Sequence, residues 1–203
     1  GWLKAQLIWA AALWYIVYNY VFYVYGAVFN AFFLFYIALI ILPVIAVILI
    51  LAGIDADEVK RSFSKRTPNK LIGGFMLFFG SALGIPWIAL ALSFIFSGQD
   101  AGEINKIVIA TDWIFMLSIV IVGGVLVWKK HVWGYILTFL IMIKTLFYPV
   151  VLIIGGIYTY KKTGVWDTFI PLYALLWAVC ISIFVTLLKN MKPVKMQVEK
   201  IVE

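Results

Sequence analysis

Two ionisable side chains, Asp112 and Lys144, fall deep inside apolar runs of a chain that otherwise keeps its charges in short hydrophilic gaps. Carrying a charge into hydrocarbon is costly, so such groups pair with one another, bind an ion or ligand, or relay protons. Their spacing brings them to one level. Asp112 follows Lys106 by roughly 9 Å of helix, and Lys144 follows His131 by about 20 Å, at 1.5 Å per residue. In a hydrocarbon core of roughly 30 Å, both then lie about 10 Å from the same face. The helices that carry them run antiparallel, so a buried Asp112–Lys144 pair is expected.

Such a pair has two readings. It can simply fix helix register, in which case it need not add net stability, although removing one partner costs roughly 3–5 kcal/mol. Alternatively it lines a polar pocket for an ion, a proton or a ligand headgroup. Asn19 reaches similar depth, about 22 Å along a helix from Lys4, within the run Tyr18-Asn19-Tyr20-Val21-Phe22-Tyr23. Amide and phenol groups in lipid seek partners across helices. Tyr148 lies one helical turn beyond Lys144 and can face the same site. Pro149, beside it, frees the carbonyl one turn back. The candidate ligand- or ion-binding residues are therefore Asp112, Lys144, Asn19 and Tyr148.

What is missing narrows the chemistry. A single histidine and a single cysteine leave no cluster for zinc, haem or a di-iron centre and no thiol pair. There is no HExxH, no glycine-rich nucleotide loop and no second intramembrane aspartate for a protease dyad. No catalytic residue, metal or cofactor is expected, and the sequence favours a protein that is not an enzyme. A buried lysine can form a Schiff base. Retinal proteins use one in their last span, whereas here another helix follows. Cys180, in an apolar run, reads as a small packing residue.

The elements that hold these residues are plain. Of 203 residues, 66% are hydrophobic and 12% charged, against roughly 45–50% and about 25% in soluble domains. Lipid removes the need to bury that surface against protein. Spans of about 20 apolar residues are predicted at 3–25, 31–51, 71–96, 107–128, 132–160 and 169–188. The fold class is all-α, a polytopic transmembrane bundle of about six spanning helices forming one domain over 1–203. Gly26 and Asn30 mark the first turn, and Asp167 reads as the cap of the sixth helix. Trp2, Trp128, Trp133 and Trp166 stand near helix ends, as an interfacial belt requires. Gly80 and Gly84 form a small-xxx-small spacing suited to close packing within the bundle.

The net charge of +7 is distributed unevenly. One side collects Lys4, the bases Lys60, Arg61, Lys65, Arg66 and Lys70, then Lys129, Lys130, Lys189, Lys192, Lys195 and Lys200. The other has Lys106, Lys161 and Lys162. The positive-inside rule therefore places both termini in the cytoplasm and the Asp112–Lys144 level in the outer half of the cell membrane. Those bases meet anionic headgroups, and nucleic acid is not an expected partner.

The stretch Tyr18-Asn19-Tyr20-x-Phe22-Tyr23 with Phe29-Asn30, Asp112, the basic turn before Trp133-Gly134-Tyr135, and Lys144 resembles a group of uncharacterised multi-spanning prokaryotic membrane proteins. The likeness is diffuse and covers most of the chain. It implies architecture and candidate residues but no reaction. Proteins of that kind often carry two more helices upstream, which fits a start at Gly1 without Met and would leave the orientation unchanged.

The expected function is binding or transport of a small polar or amphiphilic ligand through an outer-half pocket, with the lipid bilayer as the constant partner. The alternative is a non-catalytic accessory subunit of a membrane-protein complex, with a structural ion pair and aromatic faces turned to a partner. No paired Gly/Pro-broken helices betray the inverted repeat common in transporters.

Overall fold

The computed structural model describes residues 2–64 and 66–192. The bases Lys65, Lys195 and Lys200 counted above lie outside them. Six helices are long and apolar enough to cross a membrane: α1 (Trp2–Gly26), α2 (Phe33–Ala52), α4 (Asn69–Ser97), α5 (Gly102–Trp128), α6 (Val132–Thr163) and α7 (Ile170–Asn190). A short helix, α3 (Ala56–Ser62), sits in the polar segment between α2 and α4. Among the described residues there is no strand, only an isolated bridge between Phe63 and Met191.

Local chemistry sets the ends. Asp55 caps α3 by accepting from Asp57 N at 2.8 Å, Asp57 and Glu58 occupy its first turn, and Lys60 and Arg61 its last. That order complements the helix dipole. α4 and α6 stop at Gly98 (φ 67°) and Gly164 (φ 72°), left-handed positions that glycine adopts without a Cβ penalty. α5 starts earlier than predicted, at Gly102, where Asp100 Oδ1 accepts from Gly102 N at 3.2 Å. Asp167 caps the turn before α7 rather than the helix itself, accepting from Phe169 N at 2.9 Å. Asn30 organises the first turn by accepting from Phe32 N at 2.8 Å.

In lipid, burial of apolar area does not drive helices together, so close approach of small residues matters more. A Cβ on Gly73 would lie 2.7 Å from the Gly124 carbonyl and 2.9 Å from Trp128 Cβ. One on Gly80 would press on Ile121 at 3.0 Å, and one on Gly84 on Trp113 at 3.2 Å. The Gly80/Gly84 spacing thus seats α4 on α5, inside the bundle as expected. At Gly134 a Cβ would collide with the backbone of Val127 and Leu126, which makes the α5–α6 hairpin the tightest joint.

α6 is central, with Phe139 fully enclosed and Ile136, Ile141 and Met142 buried in the core it shares with α1, α4 and α5. α2 packs on α1 and α7 on α6, leaving broad faces of both helices bare, as lipid contact allows. Trp2, Trp128, Trp133 and Trp166 are all exposed at helix ends. Cys180 is buried, as a packing residue.

The face bearing the two described ends is clasped. Ser64 N donates to Asn190 O at 3.1 Å and Lys192 N to Ser62 O at 2.7 Å. Lys4 Nζ donates to Leu188 O at 2.9 Å. Phe63 stacks on Tyr135 with ring centroids 4.1 Å apart, and Tyr135 donates its hydroxyl proton to Asn69 Oδ1 at 3.0 Å.

Candidate functional site

α1, α5 and α6 meet around Asp112 and Lys144, and α4 adds one side chain. Trp14, Tyr18 and Phe22 recur every fourth residue of α1 and so share a face. Trp14 Nε1 donates to the Phe115 carbonyl at 2.9 Å. Tyr18 donates its hydroxyl proton to Asp112 Oδ1 at 2.5 Å. From α4, Trp87 Nε1 donates to Asp112 Oδ2 at 3.0 Å.

Asp112 stands immediately before a wide π-helical turn, Trp113–Leu117. Such turns interrupt the regular ladder and recur at functional sites. Here the Phe115 carbonyl within the turn accepts from Trp14, so a side chain of α1 supplies the bond. The Asp112 carboxylate is fully buried, and each of its oxygens is engaged by a donor from a different neighbouring helix.

The expected direct ion pair is not formed. No carboxylate oxygen lies within 4.0 Å of Lys144 Nζ among the described residues. Tyr18 stands between the two groups, with its hydroxyl on Asp112 and its ring under the ammonium, 3.6 Å from centroid to Nζ. Tyr148 offers a second ring at 4.3 Å. The depth argument located both charges at one level. It carried no information on which way each side chain turns around its helix, and that angle admits a phenol. A cation over two aromatic faces is attracted by their quadrupoles, by about 0.5–2 kcal/mol each.

Lys144 is only 6% exposed, yet its ammonium donates to no described residue. It faces a cleft of about 300 Å³. α1 contributes Tyr15, Tyr18, Asn19, Phe22 and Tyr23, and α5 contributes Val108 and Asp112. α6 supplies Lys144, Phe147, Tyr148, Val151 and Leu152. All four residues singled out from the sequence line this one cleft. Their parts differ, however. Asn19 spends its amide on Tyr15 O in its own helix at 2.7 Å, which leaves its carbonyl oxygen as the group free to bond. Tyr148 presents its ring to Lys144. Phe147, Val151 and Tyr23 are about half exposed, so the mouth of the cleft opens sideways through the apolar girdle of the bundle.

Two participants were not in the sequence-derived set. Tyr18 appeared only as one of several tyrosines in its run. Trp87 was absent, although an indole N–H in the middle of a span always needs an acceptor and could have been matched to Asp112 on that ground. No protein-family model, curated protein or solved structure matches the chain.

Proposed function

We propose that the protein binds a small polar or amphiphilic ligand in the Lys144 cleft and moves it within or across the cell membrane, with both termini cytoplasmic and the cleft in the outer half. One observation carries this reading: Lys144 is nearly enclosed along its side chain, and its ammonium, without an acceptor among the described residues, opens on a cleft of about 300 Å³ with polar and aromatic walls. A lysine serving structure alone would be expected to end on a carboxylate or carbonyl. The skewed distribution of bases supports the orientation.

Purified protein in phosphatidylcholine nanodiscs, extracted and analysed by mass spectrometry, should retain a small molecule or lipid at a fixed ratio. Lys144→Ala should lose it. A bundle that comes out empty but with a stoichiometric membrane-protein partner would support the accessory-subunit reading instead. For orientation, single cysteines replacing Gln99 or Arg66 in a Cys180→Ala background report the side. An impermeant maleimide should label intact cells at 99 and not at 66. The reverse pattern would invert the topology.

A further inference from the structure

The Lys144 cleft does not end at Lys144. A second cavity of about 250 Å³ runs along α1 and α5, lined by Gly26, Ala27, Ile104 and Ile107. It shares Phe22, Tyr23 and Val108 with the first, so the two cavities adjoin. Their characters differ. In the first stand an ammonium, phenols and an amide; the second is apolar apart from Tyr23. A polar cleft in apolar surroundings suits a molecule with a polar head and a hydrocarbon tail.

The charge of the head follows from which site group is left wanting. Asp112 has a donor on each oxygen, a phenol and an indole. Lys144 has two ring faces but no acceptor, and an ammonium carries three donors. The unfilled valence is a donor with positive charge. We propose that the Lys144 cleft takes a single-chain amphiphile with an anionic head, carboxylate or phosphate, seated on Lys144. This rests on the ligand-binding reading above and adds to it the charge of the ligand's head.

The test measures saturable binding to the full chain in phosphatidylcholine nanodiscs, corrected for empty discs. Four ten-carbon probes are used: decanoate, decyl phosphate, decyltrimethylammonium and decanol. Decanoate, decyl phosphate or both should bind about tenfold or more tightly than the other two, the size expected of a charge-assisted contact. Which of the two anions binds tells a fatty-acid-like from a phospholipid-like ligand. Lys144→Gln should bring decanoate and decyl phosphate down to the level of decanol, and Lys144→Arg should keep the preference for anions. Val108→Trp, which fills part of the cleft, should weaken all probes.

Equal binding of anionic and cationic probes, or an anion preference that survives Lys144→Gln, would overturn the charge assignment while leaving a ligand site standing. Unchanged binding in a folded Val108→Trp protein would overturn the placement of the ligand in this cleft. Failure of every probe to bind would remove the amphiphile and count against the ligand-binding reading as well.

Discussion

The Lys144 ammonium and the Tyr18 ring lie 3.6 Å apart, nitrogen to centroid, and the hydroxyl of the same ring is bonded to Asp112. One phenol therefore serves two opposite charges, each by a different part of its structure. That division lets the two roles be separated by substitution.

Tyr18→Phe keeps the ring beneath Lys144 and deletes the donor to Asp112 Oδ1. A buried carboxylate oxygen losing its partner costs about 1–3 kcal/mol. Reversible unfolding in mixed micelles should show that loss. Tyr18→Leu should cost more, since the cation then also loses a ring face. Equal loss in the two variants would mean that the ring contributes nothing to holding Lys144.

Trp87 and Asp112 should be energetically coupled. Trp87→Phe and Asp112→Ala each break the same bond at 3.0 Å, so the double variant should lose less than the two singles summed. Coupling between contacting residues of this kind is about 0.5–3 kcal/mol. A cycle that closes to zero would show the two side chains to be independent.

Gly134→Ala should be the most damaging methyl group that can be added to this bundle. The new Cβ would meet backbone atoms of Val127 and Leu126, not the movable end of a side chain. α5 and α6 must then part or shift, with the cost of about 1–3 kcal/mol typical of overpacking. Gly155→Ala, where nothing stands within 4 Å, is the matched control and should be neutral. A smaller loss at 134 than at 155 would contradict the hairpin geometry.

Asp100 provides a pH test outside the spans. Its bond from Lys106, first, and that from Gly102 N hold its carboxyl below the usual carboxylate range. A depressed folded-state pKa contributes stability that is present above the unfolded value and lost as pH falls through the folded one. The pair is fully solvent-exposed, so its effect on stability should be small and screened by salt. The carboxyl itself reports more directly. Its carbon-13 shift should titrate below the ordinary range, and Lys106→Met should move the midpoint upward. An unmoved midpoint would show that the ion pair at 2.7 Å does not persist in solution.

The six spans were legible because each is a long apolar run closed by glycine, asparagine or charge. Helical rise converts residue number into distance along each helix, and the four residues it picked out, Asp112, Lys144, Asn19 and Tyr148, line one cleft. What could not be read was rotation. Nothing in the spacing of Lys106, Asp112, His131 and Lys144 says that a phenol from α1 fits between the two charges. The π-helical turn at Trp113–Leu117 was equally hidden. It turns the residues after Asp112 relative to those before, and no residue in Trp113-Ile-Phe-Met-Leu117 announces it. The indole of Trp87 stands on α4, only 25 residues before Asp112, but the face of α4 it occupies was not legible from spacing.

The clasp on the terminus-bearing face is the feature with the widest mechanical consequence. There, backbone bonds tie Ser62 and Ser64 to Lys192 and Asn190, and Lys4 fastens the foot of α1 to the foot of α7. At the far ends of the same helices no such bond joins residues 27–32 to residues 164–169 among those described. The bundle is therefore tied by hydrogen bonds at its basic end and held by packing at the other, where Asp167 and Ile170 rest on Gly156 and Ile107 on Gly26. The Lys144 cleft lies toward that second end, away from the ties.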